Sequence, residues 1–328
     1  MTDFTFSHGL HDLGNGCWAF LQPDGGWGWS NSGLIEDSGE TLLVDTLFDL
    51  SLTGKMLAEM RKAVPAAKDI DVLVNTHANG DHTYGNQLVK TARIVASAAT
   101  KKEMQKRPPE AFTKITSNWQ EYGEFGRLIH ELMGRKFNFE GIENVLPTET
   151  FDRKKNILVG NKRVELLNVG PAHTSGDTLV WLPDQNLVYT GDIIFSGGHP
   201  IIWAGPIDNW IAACDQILAW DVAVVVPGHG PVGDKNSVSS LRQYLVELFT
   251  LARPRFDSGM AWVDAAEEII ADHFTHWIDR ERVFINVASL WREFSEGKVR
   301  LSLGEIYLAM GKWYWEKGPN RLHAGHIH

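Results

Sequence analysis

Ile70-Asp-Val-Leu-Val-Asn75 runs without a break into Thr76-His77-Ala78-Asn79-Gly80-Asp81-His82. The first six residues are a short apolar run of the kind that forms a buried strand. The next seven hold four potential nitrogen or oxygen ligands in six positions, and a loop leaving a strand end can turn several of them inward. Imidazole and carboxylate suit zinc, iron or manganese. Thiolate is absent from the cluster, which disfavours copper(I) and a Cys-rich structural zinc site. Alone, the stretch also fits a polar surface loop.

Three further residues of the same chemistry stand at strand ends in Gly or Pro turns. They are His173 in Gly170-Pro-Ala-His-Thr-Ser-Gly-Asp177, Asp192 in Tyr189-Thr-Gly-Asp192, and His229 in Val226-Pro-Gly-His-Gly230. Any one of them alone reads more readily as a cap or a turn hydrogen-bond partner than as a ligand. Together with the first cluster they point to one metal centre.

Working outward, strands are expected at Glu40 to Asp45, Arg93 to Ala96, Asn156 to Val159, Arg163 to Asn168, Thr178 to Leu182, Leu187 to Tyr189 and Val222 to Val226. Helical spacing marks Leu50 to Val64, Asp81 to Val89 and Ile207 to Ala219, and from Ser237 onward the pattern is helical. Between Ala98 and Thr150 lies a charged, aromatic stretch with Pro108-Pro109, expected to be a helical insertion. Short strands interleaved with helices fit two layered sheets or one doubly wound sheet, an α/β class in either case.

The chain has 328 residues, 43% apolar and 22% charged, as expected of a folded globular protein. A net charge of -10 without any long basic run excludes nucleic acid as a partner class. No stretch has the length of a membrane span and the N-terminus lacks the features of a secretory signal, so the expected location is cytoplasmic. Cys17 and Cys214 each sit in apolar sequence and are expected as buried, reduced thiols. His199 is expected to make loop hydrogen bonds, and Trp27, Trp29 and Trp203 to pack in the core or form an apolar substrate wall. His323, His326 and His328 form a tail able to bind metal adventitiously.

In their order and context these motifs resemble the metallo-β-lactamase superfamily, whose signature is His-X-His-X-Asp-His followed by a separate His, an Asp and a last His. The resemblance spans roughly residues 33 to 230. Asn31-Ser-Gly-Leu-Ile35, Leu42-Leu-Val-Asp45, Gly191-Asp192 with Ile-Ile-Phe195, and Pro227-Gly-His-Gly-Pro231 add to it. It implies an αββα sandwich with metal at one edge of the sheets, residues 1–253 as the catalytic domain with the insertion at about 98–150, and residues 254–328 as a C-terminal helical region. The insertion and the C-terminal helices would shape the substrate entrance.

The resemblance also assigns ligands. His77, His173 and Asp192 would form a first site, and Asp81, His82, Asp192 and His229 a second. Asn79 stands where the family has its second histidine. A neutral amide is a poor ligand for zinc beside imidazole, so the first site is expected to be weaker. The implied cofactor is one or two zinc ions, with iron or manganese as substitutes. The implied activity is hydrolysis of an ester, thioester, lactone or amide of a small molecule, with Asp81 orienting the attacking water and Asn79 at the catalytic site. Asp192 stands where a major lactamase class has a Cys ligand, which counts weakly against a β-lactam substrate. The fold admits a homodimer. Two other readings remain: a mononuclear iron oxygenase of the persulfide dioxygenase type, built on His77, His173 and Asp192, and a non-catalytic binding module in which Asn79 marks a decayed site.

Overall fold

In the computed structural model, which describes residues 5–318, two β-sheets stack face to face. The first contains, in spatial order, β1 (Gly9–Gly14), β2 (Cys17–Leu21), β3 (Ser32–Asp37), β4 (Glu40–Val44), β5 (Val72–Val74), β6 (Arg93–Ser97) and β7 (Glu149–Phe151). Its first three pairings are antiparallel and the last three parallel. The second comprises β8 (Lys154–Val159), β9 (Lys162–Asn168), β10 (Thr178–Leu182), β11 (Leu187–Tyr189) and β12 (Val224–Val226), antiparallel except for the parallel β11–β12 pair.

Side-chain alternation assigns the layers, because successive residues of a strand face opposite sides. Leu42 and Val44 of β4, Val72 and Val74 of β5, and Val180 and Leu182 of β10 meet in the core between the sheets. Leu43 and Leu73 face the other way, into a cluster with Met56, Leu57 and Met60 of α1 (Leu50–Ala63). Leu179, Trp181 and Val188 point outward from the second sheet into the largest core. Helices therefore cover both outer faces, the αββα arrangement expected. Tyr189 ties the layers together. It crosses from β11 to donate its hydroxyl to the Trp18 carbonyl at 2.9 Å, and a Cβ at Gly33 would lie 2.2 Å from its ring, so only glycine fits there.

Between β5 and β7 the chain forms α2 (Gly80–Thr83), α3 (Ala98–Lys106), α4 (Pro109–Ser117) and α5 (Gly123–Ile129), followed later by α6 (Ile207–Ala219), α7 (Lys235–Asp257), α8 (Trp262–Asp272), α9 (Arg282–Phe294) and α10 (Leu303–Glu316). The expected helix from Asp81 to Val89 is broken into α2 and a single 3₁₀ turn at Asn86–Val89. The cause is local competition for hydrogen bonds. The His82 carbonyl accepts from Thr46 N–H and Asn75 Nδ2, and Gly85 N–H donates to Thr46 Oγ1, so neither serves a continuous helix. The insertion is helical up to residue 134, its last turn a π-helix at His130–Gly134, but its end, Glu149–Phe151, is the edge strand of the first sheet.

Helix α7 runs through residue 253, the expected end of the catalytic domain, and α8 to α10 bury Ile269, Phe284, Leu290 and Met310 in the same cluster as Trp210 of α6. Among the described residues no helix is long and apolar enough to cross a membrane. Cys17 and Cys214 are free and buried, and burial pushes each thiol up to about 12. His323, His326 and His328 lie outside the described residues.

Candidate metal centre

Strand ends deliver the six predicted residues to one point. His77 follows β5, Asp81 and His82 sit in α2, His173 lies in the β9–β10 connection, Asp192 follows β11 and His229 follows β12. The Asp192 carboxylate is at the middle. Its Oδ1 is 3.1 Å from His82 Nε2, and its Oδ2 is 3.3 Å from His173 Nε2, 3.5 Å from His229 Nε2 and 3.7 Å from His77 Nε2. Asp81 Oδ2 lies 3.3 Å from His229 Nε2. All six are buried. A Cβ at Gly228 would lie 2.0 Å from Asp192 Oδ1, so the glycine before His229 makes room for that carboxylate.

The outer nitrogen of every imidazole is held, which fixes its ring. His77 Nδ1 is 3.0 Å from Thr76 Oγ1, His82 Nδ1 is 2.9 Å from Asp45 Oδ2, His173 Nδ1 is 2.6 Å from the Ile201 carbonyl, and His229 Nδ1 is 3.0 Å from the Gly25 carbonyl. Such outer partners orient metal-ligating histidines and set their tautomers. Asp45 is the most heavily used of them, since its carboxylate also accepts from the backbone and hydroxyl of Thr76 at 2.7 Å each. Asn31 donates to the carbonyls of Pro227 and Gly230, and Ser30 to that of Asp81, pinning two ligand-bearing loops. In the sequence Asn31 and Asp45 stood out only as parts of the motifs that carry the resemblance, with no role at the site, and Ser30 not at all. Asp45 carried one signal, as the only charge closing the apolar run Leu42-Leu-Val44.

The charged groups of the centre hold one another ionised. Burial alone would raise the Asp192 pKa, but the charges of His229 and His82 override it and hold the carboxyl well below its usual range. Burial also opposes charge on His82 and His229, yet Asp192, with Asp45 at the first and Asp81 at the second, raises both, His229 to about 9. Burial keeps His77 and His173 neutral, the form in which imidazole binds metal. The Nε2 atoms of His77 and His82 and Oδ1 of Asp192 are buried without a hydrogen-bond partner. Orphaned polar atoms at one point are costly unless something else meets them. Two sets have donor atoms within 4.8 Å of one another, His77–His82–Asp192 and Asp81–His82–His229. The donor set of imidazoles and carboxylates fits a divalent cation such as zinc.

Asn79 lies beside this cluster with Nδ2 3.1 Å from His173 Nε2. The Ile201 carbonyl fixes the proton of His173 on Nδ1, so Nε2 is an acceptor and the amide N–H of Asn79 donates to it. His199 is apart from the centre: it is buried, its Nδ1 is 3.0 Å from the Tyr244 hydroxyl, and burial and Arg282 lower its pKa to about 3. Trp29 packs on Phe137, whereas Trp27 and Trp203 line a cavity of about 410 Å³ that opens over Asp81, Asp192, His173 and His229.

The sequence profile described as "Metallo-beta-lactamase superfamily" matches residues 25–229, which include all six clustered residues and stop before α7. The chain is 26% identical over 212 residues to a metallo-beta-lactamase type 2 of Bacillus cereus, covering 63% of this chain and 69% of that protein. It is 21% identical over 306 residues to a linear primary-alkylsulfatase of Pseudomonas sp. (strain ATCC 19151), covering 86% of this chain and 56% of that protein. Among solved structures, a metallo-beta-lactamase from Pontibacter korlensis superposes with a TM-score of 0.53 at 20% identity, covering 72% of this chain and 97% of the other. That likeness is one of fold.

Proposed function

Because the chain belongs to the metallo-β-lactamase superfamily, we propose that it is a zinc-dependent hydrolase of a small-molecule ester, thioester, lactone or amide. The observation that carries this reading is the gathering of four imidazoles around one buried carboxylate, with unpartnered ligand atoms facing each other beneath an open cavity. His77 and Asp192, with His173 or His82, would hold one cation, and Asp81 and His229 with His82 or Asp192 a second. When bound, such a cation lowers the pKa of water from about 15.7 toward 7 and polarises a carbonyl.

The chain's own residues supply the rest. Asp81 and Asp192 both reach the cavity floor. Asp81 is held below the usual carboxylate range, with burial opposed by a hydrogen bond from His229 and by the charge of His82. It is thus ionised at neutral pH and positioned to accept a proton from an attacking water. Asp192, buried at the centre, balances the charge of whatever the histidines bind. The relatives' names span a β-lactamase and an alkylsulfatase, so family membership alone does not set the substrate.

The test is metal analysis of protein carrying Ala at His323, His326 and His328, followed by a panel of esters, thioesters, lactones and amides. His82→Ala is expected to lower bound zinc and to reduce turnover at least about 100-fold. A variant with wild-type zinc and turnover refutes the reading. One bound iron with oxygen uptake and no hydrolysis establishes the oxygenase instead.

A further inference from the structure

The floor of the cavity is polar, and apart from Tyr84 and Arg282 its walls are mostly apolar. Between the carboxylates below and Glu103, Lys106 and Arg107 at the exposed end of α3, the lining is formed by Phe112 and Ile115 of α4, Phe125 and Ile129 of α5, Trp203, and Tyr307 of α10. These come from three separate parts of the chain: the insertion, the loop after β11 and the C-terminal helices. Leu303, at the start of α10, also lines the cavity and is 51% exposed, an apolar side chain left facing water at its edge. About 410 Å³ lies within the range of roughly 300–1,000 Å³ typical of small-molecule sites.

A strongly polar substrate body placed here would give up its water hydrogen bonds and find few replacements, at a cost to binding. An apolar one gains by leaving water. Resting on the hydrolase reading above, we propose that the substrate carries an alkyl chain or aryl group as its apolar body, attached to the bond that is cleaved, with that body held by α4, α5 and α10. The cleaved bond lies at the floor, beside Asp81 and Asp192. The insertion and the C-terminal helices select substrates by the length and bulk of this body.

The experiment measures kcat/KM of the zinc-loaded full chain on p-nitrophenyl esters from butanoate to decanoate, and on the same series with Ile115→Trp, which fills the cavity. We expect kcat/KM to rise by about fourfold per added methylene until the cavity is full, the value of burying one CH₂. In Ile115→Trp the ratio of decanoate to butanoate rates should fall by about tenfold or more, with zinc content unchanged as evidence of folding. Turnover with no dependence on chain length overturns the proposal and leaves the hydrolase reading standing. If no ester is cleaved, the hydrolase reading is weakened and the cavity is judged by binding alone. Tryptophan fluorescence titrations with butanoate, hexanoate, octanoate and decanoate then support the proposal if affinity tightens with length, and overturn it if affinity is flat.

Discussion

Replacing Asn79 by Ala isolates one hydrogen bond at the metal centre. The Asn79 amide donates to His173 Nε2 at 3.1 Å, and that nitrogen is the one His173 would offer to a cation, since its Nδ1 proton is committed to the Ile201 carbonyl at 2.6 Å. Metal binding by His173 must therefore break the bond to Asn79. A neutral hydrogen bond has a net value of about 0.5–1.5 kcal/mol. Asn79→Ala should accordingly tighten the site that uses His173 by about 2- to 13-fold. The substitution has little other cost, because Asn79 caps α2 without any side-chain capping bond. The assay is a zinc titration against a competing fluorescent chelator, on protein with the three tail histidines replaced by Ala. Native protein should show one tight and one weaker site, Asn79→Ala should improve the weaker, and Asn79→His should improve it further by adding an imidazole. If Asn79→Ala weakens that site, the amide oxygen is itself a ligand. If nothing changes, Asn79 is no competitor for His173. Either outcome refutes the argument.

Two further predictions test the surroundings of the centre. Asp45→Asn keeps one oxygen but places an NH₂ among three donors, Thr76 N–H, Thr76 O–H and His82 Nδ1–H; zinc affinity should fall by about 10- to 100-fold, and an unchanged dissociation constant in the same titration would show that Asp45 does not orient His82. Glu281 is buried and accepts Trp27 Nε1–H at 2.7 Å, and burial with the neighbouring Asp279 raises its pKa from 4.5 to about 7. Because this acid's folded pKa is raised, its contribution to stability is fully present below about 4.5 and is lost as pH rises to 7, a difference of at most roughly 3 kcal/mol. Glu281→Gln keeps the acceptor for Trp27 without the charge, so it should raise the melting temperature at pH 8 and leave it little changed at pH 4.5; equal shifts at both values would count against a raised pKa at Glu281.

What the sequence discloses and what it hides follow from how far each interaction reaches along the chain. Strands such as Thr178–Leu182 are legible because all five residues are buried, and a fully buried strand is a continuous apolar run. Strands β1 and β7 are not, since their half-exposed residues carry no such pattern and gain their identity from the edge they complete. The ligands were legible as residue types in turns. Their outer partners were not, because Asp45 meets His82 across 37 positions and Asn31 meets Pro227 across 196, and no local pattern encodes such a pairing. The same reach explains why substrate choice is hidden. Phe112 and Tyr307 are ordinary aromatics in unrelated stretches, and Trp203, readable as a substrate wall, would serve equally well as core. They become walls of one cavity only because α10 packs against α5 and carries Tyr307 to within 5.2 Å of Phe125, ring centre to ring centre. Substitutions in the C-terminal helices should therefore retune specificity while leaving the metal centre, whose ligands all lie before α7, unaltered.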